Sequence, residues 1–405
     1  MEILAILSAL RRNKIGALLI AVQVALTLAI VSNCLSVVEQ RLQRMGRPSG
    51  IDEANIFTLG NQWVGQPTDL KARIDEDLAA LRALPGVVDA SLTNSVPLRG
   101  GGWSNVVMLT AEQKQPTAHT AIYFADAQTL NTWGMRLVAG RWFGTDEIHP
   151  IEVNDTSVPA VVIVTEALAR ALFPDGSALG KDIYIAPTAP SRIIGIVARA
   201  QTPFAASSWG ESFVENSLFA PDEFINNGIT YVVRTQPGRL HAVMHAAESK
   251  LFAIEPQRVI DRLQPFAETR AHEYRSYRAL SLILGTVCAL LLTVTAFGIV
   301  GLTTYWVTQR RRQIGVRRAL GARRVDILRY FQTENLLISG AGAALGVGLG
   351  LALNLWLATS LQITRMSLAY LIAGAGIVLV LSQAAVLLPA LRAAAIPPAI
   401  AIRSA

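Results

Sequence analysis

The sequence has little charge and almost no cysteine. Only 16% of its 405 residues are charged, whereas 52% are apolar, and the mean hydropathy is +0.39. This balance favours a membrane protein over a soluble one. Cys34 and Cys288 both fall inside apolar stretches. They provide no disulfide framework, and each thiol is interpreted as a small apolar side chain.

Acidic and basic residues are missing altogether from four windows of the chain. These windows cover residues 15–38, 280–309, 335–364 and 366–391. Each is longer than the roughly 20 residues that a helix needs to cross the hydrocarbon core. The first window follows basic residues, as a secretory signal would, but it exceeds the roughly 7 to 15 apolar residues of such a signal. We therefore predict four transmembrane helices, the first of them uncleaved.

Basic residues lie mainly on one side of these helices. The two termini and the loop between helices two and three together carry 13 basic and 3 acidic residues, whereas residues 39–278 carry 22 basic and 26 acidic ones. By the positive-inside rule, both termini are cytoplasmic and the large domain is outside. The net charge of +7 then reflects topology, and we do not interpret it as nucleic-acid binding.

The windows and the charge pattern together divide the chain into nine segments. They are a cytoplasmic N-terminal segment (1–14), the first transmembrane helix (15–38), a periplasmic domain (39–278), the second transmembrane helix (279–308), a cytoplasmic loop (309–331), the third transmembrane helix (332–361), a short external loop (362–366), the fourth transmembrane helix (367–391) and a cytoplasmic tail (392–405).

The segment between the first two helices has the pattern of an α/β domain. A strand–helix–strand pattern occupies residues 54–59, 69–84 and 87–92, and a second one occupies 229–233, 240–252 and 257–263. The insertion between them is rich in short strands and turns. The predicted fold class is therefore an α-helical membrane protein with four transmembrane helices and an α/β extracytoplasmic domain of two subdomains, one built from both ends of the segment.

Motifs for catalysis or metal binding are weak. Residues 176–182 resemble a phosphate-binding loop, but only three residues separate the glycines and Asp182 replaces the magnesium-binding Ser or Thr, so we predict a turn before a strand at 183–185. His241, His245 and Glu248 share a helix face at metal-ligand spacing, although a solvated face is the simpler interpretation. No Ser-His-Asp or Cys-His order stands out, and the four windows contain no Asp, Glu, His, Lys or Arg for a proton or ion relay, which disfavours a secondary transporter.

The loop between the second and third membrane helices is the densest feature of the sequence. Its arginines alone indicate only a positive-inside flank. Between them, small and apolar residues are punctuated by Gly315 and Gly321, which predicts short helical pieces with a small apolar surface. Such a surface is suited to docking in the groove of a partner.

This loop resembles the MacB-like and FtsX-like permease subunits of ATP-binding-cassette systems, which carry E-R-T-R-E-I-G-I-R-x-A-L-G-A-R at this place. The matching residues are Arg310, Arg312, Ile314, Gly315, Arg317, Ala319, Leu320, Gly321, Ala322 and Arg323. The tail at 389–403 and the domain segments 140–143 and 172–196 are similar to the family as well. The family's acidic residues are replaced by Gln309, Gln313 and Ile400.

The resemblance implies a non-catalytic permease subunit of a bacterial inner membrane that dimerises with itself or a related chain. No ATPase domain precedes the first helix, so the resemblance implies two copies of a separate ATPase subunit, which would bind ATP and Mg. The implied coupling residues are Arg310, Arg312, Gln313, Ile314, Gly315, Arg317, Arg318, Ala319, Leu320, Gly321 and Ala322. The resemblance implies no cofactor or metal in this chain and no nucleic-acid partner.

In the family, ATP-driven closure of the ATPase subunits moves the membrane helices and with them the outer domain, an action called mechanotransmission. Export of a small molecule or peptide through a periplasmic adaptor and an outer-membrane channel is the expected outcome. The alternatives are an FtsX-like regulator of a periplasmic hydrolase, a LolC-like lipoprotein extraction subunit, and a receptor, for which the sequence offers no cytoplasmic output domain.

The third membrane helix is rich in glycine. Its glycines are Gly340, Gly342, Gly346, Gly348 and Gly350. Small residues allow close helix packing, either across a dimer interface or within one chain.

The predicted topology has a direct test in reporter fusions. Alkaline phosphatase, which is active only outside the cytoplasm, should be active when it is fused after residue 250. A fluorescent protein that folds only in the cytoplasm should fluoresce when it is fused after residue 405. The reverse pattern would contradict the assignment of both termini to the cytoplasm.

Overall fold

The computed structural model of the chain describes residues 14–65, 67–152, 155–207, 209–361 and 366–395. It divides into two compact units, one formed by the residues up to Met45 together with those from Tyr277 onward, and the other by Gly46–Ser276. Most of the predicted N-terminal segment, external loop and tail lies outside the described residues.

The secondary structure alternates long helices with a strand-rich middle. In chain order the α-helices are α1 (Lys14–Met45), α2 (Leu70–Arg82), α3 (Thr129–Trp133), α4 (Glu166–Leu172), α5 (Leu240–Ile254), α6 (Phe266–Glu273), α7 (Arg275–Gln309), α8 (Arg311–Ala319), α9 (Arg324–Leu361) and α10 (Leu368–Ala394). The strands are β1 (Ile56–Trp63), β2 (Val87–Thr93), β3 (Trp103–Val107), β4 (Ala118–Phe124), β5 (Leu137–Gly140), β6 (His149–Ile151), β7 (Val161–Thr165), β8 (Asp182–Ala186), β9 (Ala189–Val197), β10 (Ser217–Ala220), β11 (Asp222–Phe224), β12 (Gly228–Thr235) and β13 (Arg258–Pro265).

Four of these helices, α1, α7, α9 and α10, are long and apolar enough to cross a membrane. The prediction of four transmembrane helices is therefore confirmed. The helices contain the predicted membrane spans except for Ser367, which caps the start of α10. α9 begins at Arg324, eight residues before the predicted span, so that part of the predicted cytoplasmic loop is helical.

The third and first membrane helices approach each other closely through glycine. A Cβ atom added to Gly342 would lie 2.6 Å from the carbonyl oxygen of Ala21, and one added to Gly346 would lie 2.8 Å from that of Ala25. A Cβ atom on Gly350 would lie 2.9 Å from Leu371 of α10. These three glycines therefore pack within one chain, whereas a Cβ atom on Gly340 or Gly348 would meet nothing within 4 Å.

The first subdomain of the outer unit is a four-stranded antiparallel sheet with strand order β13-β1-β12-β2. Helices α2 and α5 bury their apolar faces against it, with Ile74, Leu78 and Leu251 in a core that includes Phe57 and Val233. Its strands come from both ends of the domain. This confirms the predicted subdomain, since the two strand–helix–strand patterns form one sheet.

The insertion between those patterns forms the second subdomain. Its seven-stranded sheet has the order β3-β4-β10-β7-β9-β5, and β8 pairs with β9. β8 begins at Asp182, directly after the segment 176–181. That segment is a turn before a strand, as predicted.

The segment Gly140–Phe143, which resembles the family, turns the chain at the end of β5. Gly140 has a φ of +75°, and a Cβ atom there would lie 2.1 Å from the carbonyl oxygen of Ile194, so only glycine fits. Arg141 donates two hydrogen bonds of 2.7 Å to Glu147. This guanidinium lowers the pKa of the Glu147 carboxyl to about 2. The segment therefore stabilises an exposed turn of the second subdomain.

A buried ion pair holds helix α2 to the edge strand β13. Arg258 donates hydrogen bonds of 2.8 and 3.0 Å to the two carboxylate oxygens of Asp77, and both side chains are 1% exposed. The Tyr231 hydroxyl donates to the same carboxylate at 2.9 Å. Removing one charge would leave the other buried without its partner, which is costly even where the intact pair adds little stability.

We expect Asp77→Ala to destabilise the outer domain by about 3–5 kcal/mol, because Arg258 would remain buried and unpaired. In thermal unfolding of the full chain, the midpoint should fall by roughly 6 °C or more. The control is Asp182→Ala, which breaks an exposed pair with Arg192 and should shift the midpoint by about 1 °C at most. Equal shifts for the two variants would show that the buried pair has no special role.

Candidate coupling site in the loop between the second and third membrane helices

The short helix α8 has an inner face that packs against the membrane helices. Ile314 is 5% exposed and belongs to a buried cluster with Trp306 of α7 and Ile327 and Phe331 of α9. Gly315 beside it is also buried. The helix therefore rests on the ends of α7 and α9 through a compact apolar contact.

A largely buried ion pair fixes the start of this loop. Arg310, directly before α8, donates hydrogen bonds of 3.0 and 2.9 Å to the two carboxylate oxygens of Glu334 in α9. The side chains are 12% and 2% exposed. Both bonds come from one guanidinium nitrogen, Nη1, so this charged pair joins the loop to α9 at a single point.

The end of α8 is closed by a turn that requires glycine. Gly321 has a φ of +98°, and a Cβ atom there would meet no other atom within 4 Å, so the conformation and not the space selects glycine. The amide of Gly321 donates to the carbonyl of Arg318, and the amide of Ala322 donates to that of Arg317. These two bonds form a Schellman motif. The Asp326 carboxylate then accepts from the amide of Arg323, which leads into α9.

The outer face of the loop is apolar at its tip and cationic around it. Leu320 is 83% exposed and Val316 is 45% exposed. Exposed arginines surround them, and the Arg317 guanidinium lies 4.9 Å from the centre of the Tyr330 ring. An exposed leucine on a rigid turn, surrounded by cations, is suited to insertion into a partner groove with an acidic rim.

The predicted coupling residues thus separate into two groups. Arg310, Ile314 and Gly315 face inward and position the loop. The residues of the outer surface are Arg312, Gln313, Arg317, Ala319, Leu320 and Gly321, with Arg318 and Ala322 half-buried. Contact with an ATPase stays a prediction for both groups. The structure adds Glu334, whose signal in the sequence was a lone carboxylate at the edge of an apolar run.

The other sequence candidates do not form a comparable site. Within the described parts of the chain, no group of three or more His, Cys, Asp or Glu residues is placed to hold a metal ion. His241 and His245 are exposed on α5, and Glu248 is half-buried there.

Comparison with known proteins covers most of the chain. Residues 17–250 match the model of the MacB-like periplasmic core domain, and residues 285–398 match that of the FtsX-like permease C-terminal domain. The macrolide export ATP-binding/permease protein MacB of Chromobacterium violaceum is 27% identical over 74% of this chain and 44% of its own length. The pyoverdine export ATP-binding/permease protein PvdT of Pseudomonas aeruginosa is 25% identical over 62% of this chain and 38% of its own length.

The chain thus spans about half the length of the curated relatives it matches. Among solved structures, the periplasmic region of MacB from Actinobacillus actinomycetemcomitans aligns with 56% of this chain and 97% of its own, at 15% identity and a TM-score of 0.34.

The division into inner and outer residues has a test in two matched substitutions. Ile314→Asp places a carboxylate in the buried cluster and should lower the thermal unfolding midpoint of the detergent-purified chain by roughly 5 °C or more. Leu320→Asp changes an exposed side chain and should move the midpoint by about 1 °C at most. A large loss of stability in Leu320→Asp would contradict the assignment of this residue to the free outer face.

Proposed function

The chain belongs to the family of permeases with a MacB-like periplasmic core domain and an FtsX-like C-terminal domain, and we propose that it acts as a coupling subunit. It couples ATP hydrolysis by a separate ATPase subunit to movement of its periplasmic domain. It is a multi-pass protein of the inner membrane with four transmembrane helices. In the proposal, both termini are cytoplasmic and ATP and Mg bind to the partner, so the chain itself is not an enzyme.

The observation that carries this proposal is the construction of the cytoplasmic loop. Its tip presents Leu320 and several arginines outward, whereas Ile314 and the Arg310–Glu334 pair attach its base to the membrane helices. A docking element requires such a base, because it must pass displacement onward without bending.

The route from the loop into the helices is continuous within the membrane unit. The Arg310–Glu334 pair links the loop to α9, and the glycines of α9 contact α1 along its small residues. α1 and α7 are the two helices that connect along the chain to the ends of the outer domain. Displacement of the docked loop therefore has a packed path through α9 to α1, whereas α7 is joined to the loop directly along the chain.

We further propose export of a small molecule or peptide, with a periplasmic adaptor and an outer-membrane channel, by two copies of this chain or this chain with a related one. The support is the printed function of the relatives, which export macrolides and pyoverdine. These printed export functions favour export over an FtsX-like regulator or a LolC-like extraction subunit.

Docking has a test that distinguishes loss of the loop's outer face from general destabilisation of the chain. The wild-type chain should co-purify with its co-expressed candidate ATPase subunit, and Leu320→Asp should reduce recovery of the complex by about tenfold, as expected when a central apolar anchor becomes charged. ATP turnover should become independent of the permease in that variant. Val88→Asp is the matched control, since Val88 is an exposed aliphatic residue of the outer domain.

Normal recovery of the complex with Leu320→Asp would remove Leu320 from the docking surface. Failure of any ATPase to co-purify with the wild-type chain would overturn the transporter function and favour a receptor or scaffold.

A further inference from the structure

A cavity of about 330 Å³ opens in the first subdomain of the outer domain. It lies between β1, β13, helix α6 and the loop that follows β2. Its lining residues are Thr58, Val96, Leu98, Arg99, Arg262, Gln264, Thr269 and His272. This volume lies at the lower end of the range of pockets that enclose small organic ligands.

The charge of the lining is one-sided. Its charged members are two arginines, and the described lining residues include no carboxylate. Arg99 donates one hydrogen bond, of 2.8 Å, to the Thr230 hydroxyl. Burial and the nearby charge of Arg262 lower the pKa of Arg99. Two guanidinium groups that line one cavity repel each other, and an anion bound between them relieves that repulsion.

Two carboxylates lie near the cavity, Asp261 beside Arg262 and Glu273 beside His272. Asp261 lies 3.7 Å from Arg262, and both side chains of this pair are about 60% exposed. Exposed pairs of this kind are weak because water screens them. Arg262 therefore retains hydrogen-bonding capacity toward a ligand.

The backbone is strained at two of the residues that line this cavity. Leu98 and Arg262, with φ values of +62° and +48°, are the non-glycine residues with positive φ in the described part of the chain. The register between β1 and β13 shifts in the interval from Thr58 to Gly60, where Arg262 lies on the opposite strand. A bulge of this kind redirects side chains, and strained residues concentrate where ligands bind.

We propose that this cavity binds a small amphipathic organic acid, with its carboxylate between Arg99 and Arg262 and its apolar body against the carbon atoms of the lining side chains. Val96 and Leu98, each 1% exposed, lie directly beneath that lining surface. Gln264 and Thr269, joined by a 2.7 Å hydrogen bond, supply further polar atoms at the rim. The proposal does not depend on the export function, because binding is a property of this chain alone.

The test is isothermal titration calorimetry on the full chain in lipid nanodiscs with three probes. 4-Phenylbutyrate carries the carboxylate and the apolar body, 4-phenylbutylamine carries the same body with the opposite charge, and inorganic phosphate carries the charge alone. Only phenylbutyrate should give saturable binding above the signal of empty nanodiscs. Arg99→Gln and Arg262→Gln should each weaken that binding about tenfold or more, the expected effect of losing one charged hydrogen bond.

Arg192→Gln is the matched control, since this exposed arginine lies in the second subdomain and its loss should leave binding unchanged. Arg262 is exposed, so its substitution keeps the test valid even if Arg99→Gln destabilises the domain. Absence of saturable phenylbutyrate binding, saturable binding of the amine or of phosphate, or undiminished affinity in Arg262→Gln would each overturn the proposal.

Discussion

The close contact between α9 and α1 is the constraint on which the membrane unit depends. Lipid tails are as apolar as leucine, so helices in a bilayer gain little from burying apolar surface and associate through close packing and polar contacts. Gly342 and Gly346 allow the backbone of α9 to reach the carbonyl oxygens of α1. Polar contacts reinforce the contact, since Asn33 of α1 donates to the carbonyl of Gly350 at 3.2 Å.

The loop between the second and third membrane helices is attached to this closely packed contact. The Arg310–Glu334 pair and the Ile314 cluster join the loop to the same helix that packs against α1. α7 contributes less packing, and its polar contacts with α1 include the 2.7 Å hydrogen bond between Thr27 and Thr295. The unit therefore combines a tightly packed part with a more exposed second membrane helix, an arrangement that allows one helix to shift while the others keep their contacts.

Local sequence patterns predicted the features that depend on neighbouring residues along the chain. The charge-free windows predicted the membrane helices, and the alternation of strand and helix patterns predicted the sheet shared by both ends of the domain. The partnership of Arg310 with Glu334 joins residues 24 positions apart. The cavity between Arg99 and Arg262 joins the two ends of the domain. Neither the ion pair nor the cavity was predictable from the sequence, because each depends on which elements pack against each other in the fold.

In the proposed mechanism, nucleotide in the ATPase moves the outer domain through the loop. Double electron–electron resonance on the reconstituted complex measures this movement. A spin label is placed at Ser249→Cys, an exposed site of α5, in a background of Cys34→Ser and Cys288→Ser. We expect ATP trapping to shift the label-to-label distance between two copies of the chain, and Leu320→Asp to abolish the shift. An unchanged distance in the assembled wild-type complex would contradict this mechanism.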